Sequence, residues 1–468
     1  MGSSVKAFVK VLSSNFIVMF LGILTTLIFP KHLGPLEYGE YQLYLFYASF
    51  LGFFLLGYCD GLYLRYGGTE YSSLDKVSLN KDFKFITIYL IFVSSIFYII
   101  FTKFGVIDNK IVLLLSISIF IHCLNSFFVL INQASGRFNV YSITNIIEKF
   151  ILAMYGIFVF VKGDISINFL FGTVILGKLT TLCINILFDI DIIMCKSEPF
   201  SIYFFRQVYI NIKAGLPLTI SGVSSMLITG FGRNKVQNEL GNKQFGIYSL
   251  VFSLMSIVTQ VISAVSIVFY PFLKNSEKRE LKRNLRLIDE GFVLISLIIN
   301  LMFFPMYLIL KFYLIQYLSS ATCLFILLPT LISQAKISIL YNTYYKVLRK
   351  EKIILLNGIL TLVIAVFLTN VFFSISGTIE AVALATLLSF LFWERISRIN
   401  LYRVFELKID IKVEIKELML PFIFVVLNLM LDPLMAFIIY LFFVLTYGIY
   451  QRKNICQLFF FIINKQVK

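Results

Sequence analysis

Charge is what this sequence has least of. Only 14% of its 468 residues are Asp, Glu, Lys or Arg, and 59% are hydrophobic, whereas a soluble domain carries about 25% charged residues. A water-soluble core cannot hide that much apolar surface. Histidine is nearly absent, with two residues, and cysteine is scarce, with six. Cys59, Cys123, Cys183 and Cys323 lie inside apolar runs with no paired spacing, which argues against a disulfide framework and against a zinc site. No metal and no cofactor is expected. Long hydrophilic stretches are also missing, which leaves no room for a soluble catalytic domain.

What is present is a series of charge-free runs. Val11 to Pro30, Tyr41 to Cys59, Ile111 to Gly136, Ala214 to Gly232, Gln244 to Leu273 and Gly291 to Leu310 contain no Asp, Glu, Lys or Arg. Each is long enough to cross a bilayer, which takes about 20 residues of helix. The pattern predicts an all-α polytopic membrane protein with about fourteen transmembrane helices. Among the predicted spans are Gly39–Leu64 as the second, Ala321–Tyr345 as the tenth, Thr378–Arg398 as the twelfth and Glu417–Leu431 as the thirteenth. Lys6 and Lys10 ahead of the first run superficially suggest a signal peptide. That run is too long for one and is followed by Lys31-His32-Leu33-Gly34-Pro35 without a cleavage pattern, so it reads as a retained helix.

The net charge of +16 is divided among short segments and forms no single basic face, so nucleic acid is not an expected partner. The basic residues instead test the topology, because Lys and Arg collect in cytoplasmic loops. With the N-terminus inside, 31 of the 41 fall in inside segments and eight outside. Both termini are therefore expected in the cytoplasm.

An internal repeat is visible. Leu33-Gly34, Tyr38-Gly39, Tyr41 and Leu43 recur as Leu240-Gly241, Phe245-Gly246, Tyr248 and Leu250, at a constant offset of 207 residues. Arg137 and Arg349 follow the fourth and tenth predicted helices in the same manner. An even number of helices separates the copies, so the repeats run parallel through the membrane, and a parallel repeat places a site between two six-helix lobes. The predicted organisation is an N-terminal lobe over residues 1–195, a cytoplasmic linker over 196–213, a C-terminal lobe over 214–405, and accessory helices 13 and 14 with a tail over 406–468.

At these residues the chain resembles the Wzx-type polysaccharide flippases of the multidrug/oligosaccharidyl-lipid/polysaccharide exporter superfamily. The similar stretch runs from Leu33-Gly34-Pro35-Leu36-Glu37-Tyr38-Gly39 through Tyr47, and then through Gly57-Tyr58-Cys59-Asp60-Gly61-Leu62 to Gly68. The resemblance implies a bacterial inner-membrane protein that works by alternating access. Its implied cargo is a polyprenyl-pyrophosphate-linked oligosaccharide, moved to the outer leaflet for O-antigen or capsule synthesis. Membrane lipid and other polysaccharide-assembly membrane proteins are its implied partners.

Position then selects candidate residues. A charge at the bilayer centre costs about 2.5 to 3.5 kcal/mol on insertion scales, so an intramembrane lysine is a functional candidate. Lys178 in the sixth helix and Lys336 in the tenth qualify, neither with an acid nearby in sequence. Lys178, Thr181, Asn185 and Asp189 share one helical face, as do Ser118, His122, Asn125 and Asn132 on the fourth helix. Ser249, Ser253, Ser256 and Gln260 form a stripe on the eighth. Opposed polar stripes suit a hydrated sugar path, although small residues also serve close helix packing. Asp60 and Arg65 close the second helix, with Gly61 a candidate break between them, and Arg233 ends the seventh on the outer side.

No catalytic residues are expected. The alternatives are an ion-coupled drug exporter of the same superfamily, which needs buried carboxylates, and a membrane-embedded glycan polymerase or ligase, which needs an outer catalytic loop. The membrane-depth charges in the sequence are mainly cations, with Glu148 the one good acidic candidate, and this favours the flippase.

Overall fold

The computed structural model describes residues 2–105, 108–163, 165–196, 199–274, 278–407 and 411–450. The chain divides into two compact units, Met1–Val223 and Ser224–Lys468. The first contains α1 (Gly2–Ala48), α2 (Tyr58–Tyr66), α3 (Lys76–Phe104), α4 (Asn109–Ala134), α5 (Phe138–Lys162), α6 (Ile167–Phe188) and α7 (Ile190–Ile193). Helix α8 (Ile202–Lys274) begins in the first unit and continues into the second. The second unit then holds α9 (Lys278–Leu301), α10 (Phe303–Phe312), α11 (Ser320–Leu327), α12 (Thr330–Ala335), α13 (Asn342–Val347), α14 (Glu351–Ser376), α15 (Ile379–Val404), α16 (Ile411–Met430) and α17 (Pro433–Tyr450).

Eight helical stretches among the described residues are long and apolar enough to cross a membrane, and Glu417–Met430 and Pro433–Ile449 are shorter apolar helices. One of the eight is long enough for two crossings. Ser13–Leu55 has 43 residues, or about 64 Å at 1.5 Å per residue, twice a bilayer core of about 30 Å. Helix α15 is absent from the eight, and it carries Glu394, Arg395 and Arg398. Large apolar side chains cover the outside of the helices, including Ile88, Phe92, Phe104, Phe158 and Phe160. Apolar surface of that extent marks contact with lipid or with another protein.

Glycine shapes both long helices. Gly34 (φ 70°, ψ 171°) breaks α1, and Gly241 (φ 78°, ψ −178°) breaks α8. This region of backbone space is essentially open to glycine alone. Pro35 follows Gly34 and starts the second leg of α1, where a missing N–H costs nothing. The repeated aromatic residues behind each break are buried: Tyr38 and Tyr41 in one unit, Phe245 and Tyr248 in the other. The repeat also extends to Asp82 and Asp289, again 207 residues apart and both buried.

The second predicted span is not one helix. After α1 the chain forms a short 3₁₀ turn at Leu51–Leu55, then passes through Leu56 (φ 50°) and Gly57 (φ 78°) before α2 starts. The cause is a close crossing with the start of α8. A Cβ on Gly61 would lie 2.0 Å from the Asn211 carbonyl oxygen, and one on Gly215 would lie 2.0 Å from that of Gly57. Helix α2 continues through Gly61 to Tyr66, so Gly61 is a contact point and not the predicted helix end.

The tenth predicted span is interrupted as well. Pro329 separates α11 from α12, and residues Lys336–Tyr341 form a π-helical turn before α13. In the same unit α16 and α17 pack on α9 and α10 through Phe303, Phe304, Phe424, Phe437 and Tyr440.

Candidate functional site

In unit 1, Lys178 near the middle of α6 meets Glu148 of α5, with Nζ and Oε1 3.8 Å apart. Gly177 lets the two helices approach, since a Cβ there would already touch Glu148. The pair is loose and keeps some exposure, with 13% of the Lys178 side chain and 27% of the Glu148 side chain accessible. On α4, His122 is half-buried.

The rest of the predicted polar faces is spent inside the unit. Asn185 is buried and donates to Asn125 Oδ1 at 2.7 Å, so it is a link between α6 and α4 and not an open lining. Asp189 is buried too, accepting from Asn132 at 2.7 Å and from Arg137 at 2.6 Å. Ser118 bonds Tyr44 at 2.7 Å. At these residues the polar faces of α4 and α6 pair with one another, because polar groups in an apolar medium satisfy one another first.

Nearby, Tyr71 and Lys76 both bond Asp191, and the Arg137 guanidinium lies 3.9 Å from the centre of the Tyr71 ring. Burial acts to raise the Asp191 carboxyl, but its hydrogen bonds from Lys76 and Tyr71 outweigh that and hold it below the usual carboxylate value. Asp60 and Arg65 sit in the first and last turns of α2, where each charge complements the helix dipole. Asp60 also accepts from Thr219 at 2.8 Å, and Arg65 lies beside the Tyr66 ring.

In unit 2 the serine stripe is mostly engaged with its own helix. Ser249 is fully buried and accepts from Arg233 at 3.1 Å. Ser253 donates to the Ser249 carbonyl at 3.3 Å, and Ser256 to that of Ser253 at 2.7 Å. Gln260 is exposed. Arg233 is half-buried over the rings of Phe245 and Phe252, at 5.3 and 5.4 Å, so it is anchored within its own unit.

Lys336, which has no acid near it in sequence, is surrounded by acids in the fold. It is 2% exposed. Its Nζ lies 3.3 Å from Asp289, 3.2 Å from Glu394 and 2.9 Å from Glu417. Arg398 joins the cluster through Asp289 at 2.9 Å, Glu417 at 2.8 Å and Glu414 at 3.0 Å. Arg395 adds contacts to Glu414 at 2.5 Å and Glu417 at 3.2 Å. The acids come from α9, α15 and α16, up to 81 residues away in sequence, which is why local reading missed them. The legible signal was Glu394 and Arg398 one turn apart in a membrane helix, with Glu417 opening the next apolar run.

Two units of packed membrane helices, each opened by a helix broken at an equivalent glycine, define a class of membrane protein that the solved structures contain. The chain is similar to the lipid II flippase MurJ in an inward closed conformation, at TM-score 0.67 and 16% identity, over 96% of this chain and 100% of that one. It is similar to an inward-facing multidrug resistance MATE family transporter of the MOP superfamily, at TM-score 0.63 and 14% identity, over 85% and 98%. A MATE in its straight conformation matches at TM-score 0.57 and 14% identity, over 86% and 95%. No protein-family model matches the chain, and no curated protein matches it in sequence. At these identities the likeness shows the fold alone: a multi-pass, all-helical membrane protein folded like these structures. These structural neighbours are transporters and not enzymes.

Proposed function

We propose that this chain is a flippase that carries a polyprenyl-pyrophosphate-linked oligosaccharide from the cytoplasmic to the outer leaflet of the bacterial inner membrane, for O-antigen or capsule synthesis. In this reading it has fourteen spans, arranged as two parallel six-helix lobes and an accessory pair, and it works by alternating access. The observation that carries the reading is the likeness to a structure named as a lipid flippase, which extends over 96% of this chain, against 85% and 86% for the MATE matches.

Lys178 is the residue most suited to the cargo's pyrophosphate. A partly exposed ion pair at mid-bilayer is too costly against hydrocarbon, so its open side faces a polar interior. The 3.8 Å spacing to Glu148 leaves the ammonium able to take a second partner. At an effective dielectric near 20, a unit pair at about 4 Å interacts by about 4 kcal/mol. Desolvation offsets part of that, which leaves about one to two powers of ten in binding.

Lys178→Ala should lower surface polysaccharide at unchanged protein level, with Lys178→Arg retaining more activity. Normal export by well-expressed Lys178→Ala would remove this site, and loss only in proportion to protein level would make the lysine structural.

An ion-coupled exporter is the second reading. The carboxylates of Asp289, Glu394 and Glu417 are buried in unit 2, so the expectation that membrane-depth charges are mainly cations does not hold there. Deletion of the gene separates the two readings. Lost surface polysaccharide with unchanged drug tolerance supports the flippase, and the converse supports the exporter.

A further inference from the structure

The ion cluster of unit 2 stands apart from the proposed cargo contact, and its chemistry is independent of which cargo the protein carries. Among the described residues it sets four carboxylates, Asp289, Glu394, Glu414 and Glu417, against three cations, Lys336, Arg395 and Arg398. It is one positive charge short of neutrality in a medium where an uncompensated charge is strongly disfavoured.

Three of the four carboxylates have both oxygens engaged. Asp289 takes Tyr341 and Lys336 on Oδ1, with Tyr402 and Arg398 on Oδ2. Glu394 takes Ser333 on Oε2 and Lys336 on Oε1. Glu414 meets Arg395 with one oxygen and, through charge contact without a hydrogen bond, Arg398 with the other. Glu417 differs. Its Oε2 receives Lys336, Arg395 and Arg398 together, and its Oε1 makes no hydrogen bond.

A small cavity adjoins this carboxylate, with about 20 Å³ of room for water centres, enough for a single water. Its lining includes Glu417, Glu394, Lys336, Ser333 and Asn300. Asn300 is 1% exposed; its amide nitrogen donates to Tyr440 of α17, and its Oδ1 has no partner. Two residues with buried, unpartnered acceptors thus border one cavity. The ammonium of Lys336 at the same wall opposes a metal ion there, whereas a proton needs no coordination shell.

We propose that this cavity is a proton-binding site, in which one proton from solvent sits on Glu417 Oε1 and is shared with Asn300 Oδ1, directly or through one water. The added proton neutralises the cluster and leaves the three contacts to Oε2 in place. Because Glu417 belongs to α16 and Asn300 holds α17, the proton ties the accessory pair to the rest of unit 2.

The test is infrared difference spectroscopy on the full chain in lipid, between neutral and alkaline buffer. The wild type should show a protonated carboxyl band at neutral pH that moves on labelling with carbon-13 glutamate and vanishes in Glu417→Gln. Asn300→Ala should shift the band by removing its hydrogen-bond acceptor, which keeps the test open if the glutamine variant does not fold. Absence of the band, its persistence in Glu417→Gln, or a band unmoved in Asn300→Ala would overturn the proposal. So would stabilisation by sodium over choline at constant pH, because a metal ion would then be the occupant.

Discussion

Gly34 and Gly241 hold the same backbone conformation, with φ of 70° and 78° and ψ within about ten degrees of 180°, at the same place in two long helices 207 residues apart. An internal sequence repeat has here a direct counterpart in dihedral angles. Each glycine turns one continuous helix into two legs.

That geometry makes Gly241 a sensitive position. Nothing lies within 4 Å of where its Cβ would be, so space does not forbid a side chain, but φ does. Gly241→Ala should cost about 1–3 kcal/mol of backbone strain, read as a lower melting temperature of the purified protein. An unchanged melt would show that the break relaxes without cost.

The crossing of α2 with α8 has the opposite cause. Gly61 and Gly215 are required for room, because a methyl group on either would lie 2.0 Å from a backbone oxygen of the facing segment. Gly215→Ala should separate the two helices at a cost of about 1–3 kcal/mol, as for other overpacked sites. Size-exclusion profiles of detergent extracts would report less folded protein, and a wild-type profile would count against so close a crossing.

Breaking the ion cluster should depend on which charge is removed. Lys336→Met leaves Asp289, Glu394 and Glu417 facing one another, and removing one partner of a buried pair costs about 3–5 kcal/mol. Adding Glu394→Gln to Lys336→Met should recover part of that loss, because one of the repelling carboxylates is gone. A double mutant no more stable than Lys336→Met would show that the lysine does not act through Glu394.

The helical, membrane-spanning character of the chain and its internal repeat were legible in the sequence, because both are local. Hydrophobic run length sets whether a segment crosses a bilayer, and a glycine's backbone freedom is a property of that residue alone. Partners were not legible, because they come from packing between distant segments. Asn185 looked like the lining of a sugar path until α4 brought Asn125 against it. Lys336 looked solitary until α9, α15 and α16 closed around it. A charge in an apolar helix announces that some partner must exist, since the bilayer offers none. Only the tertiary structure decided that Lys336 has three carboxylates of its own chain, while Lys178 has one loosely held and an open side.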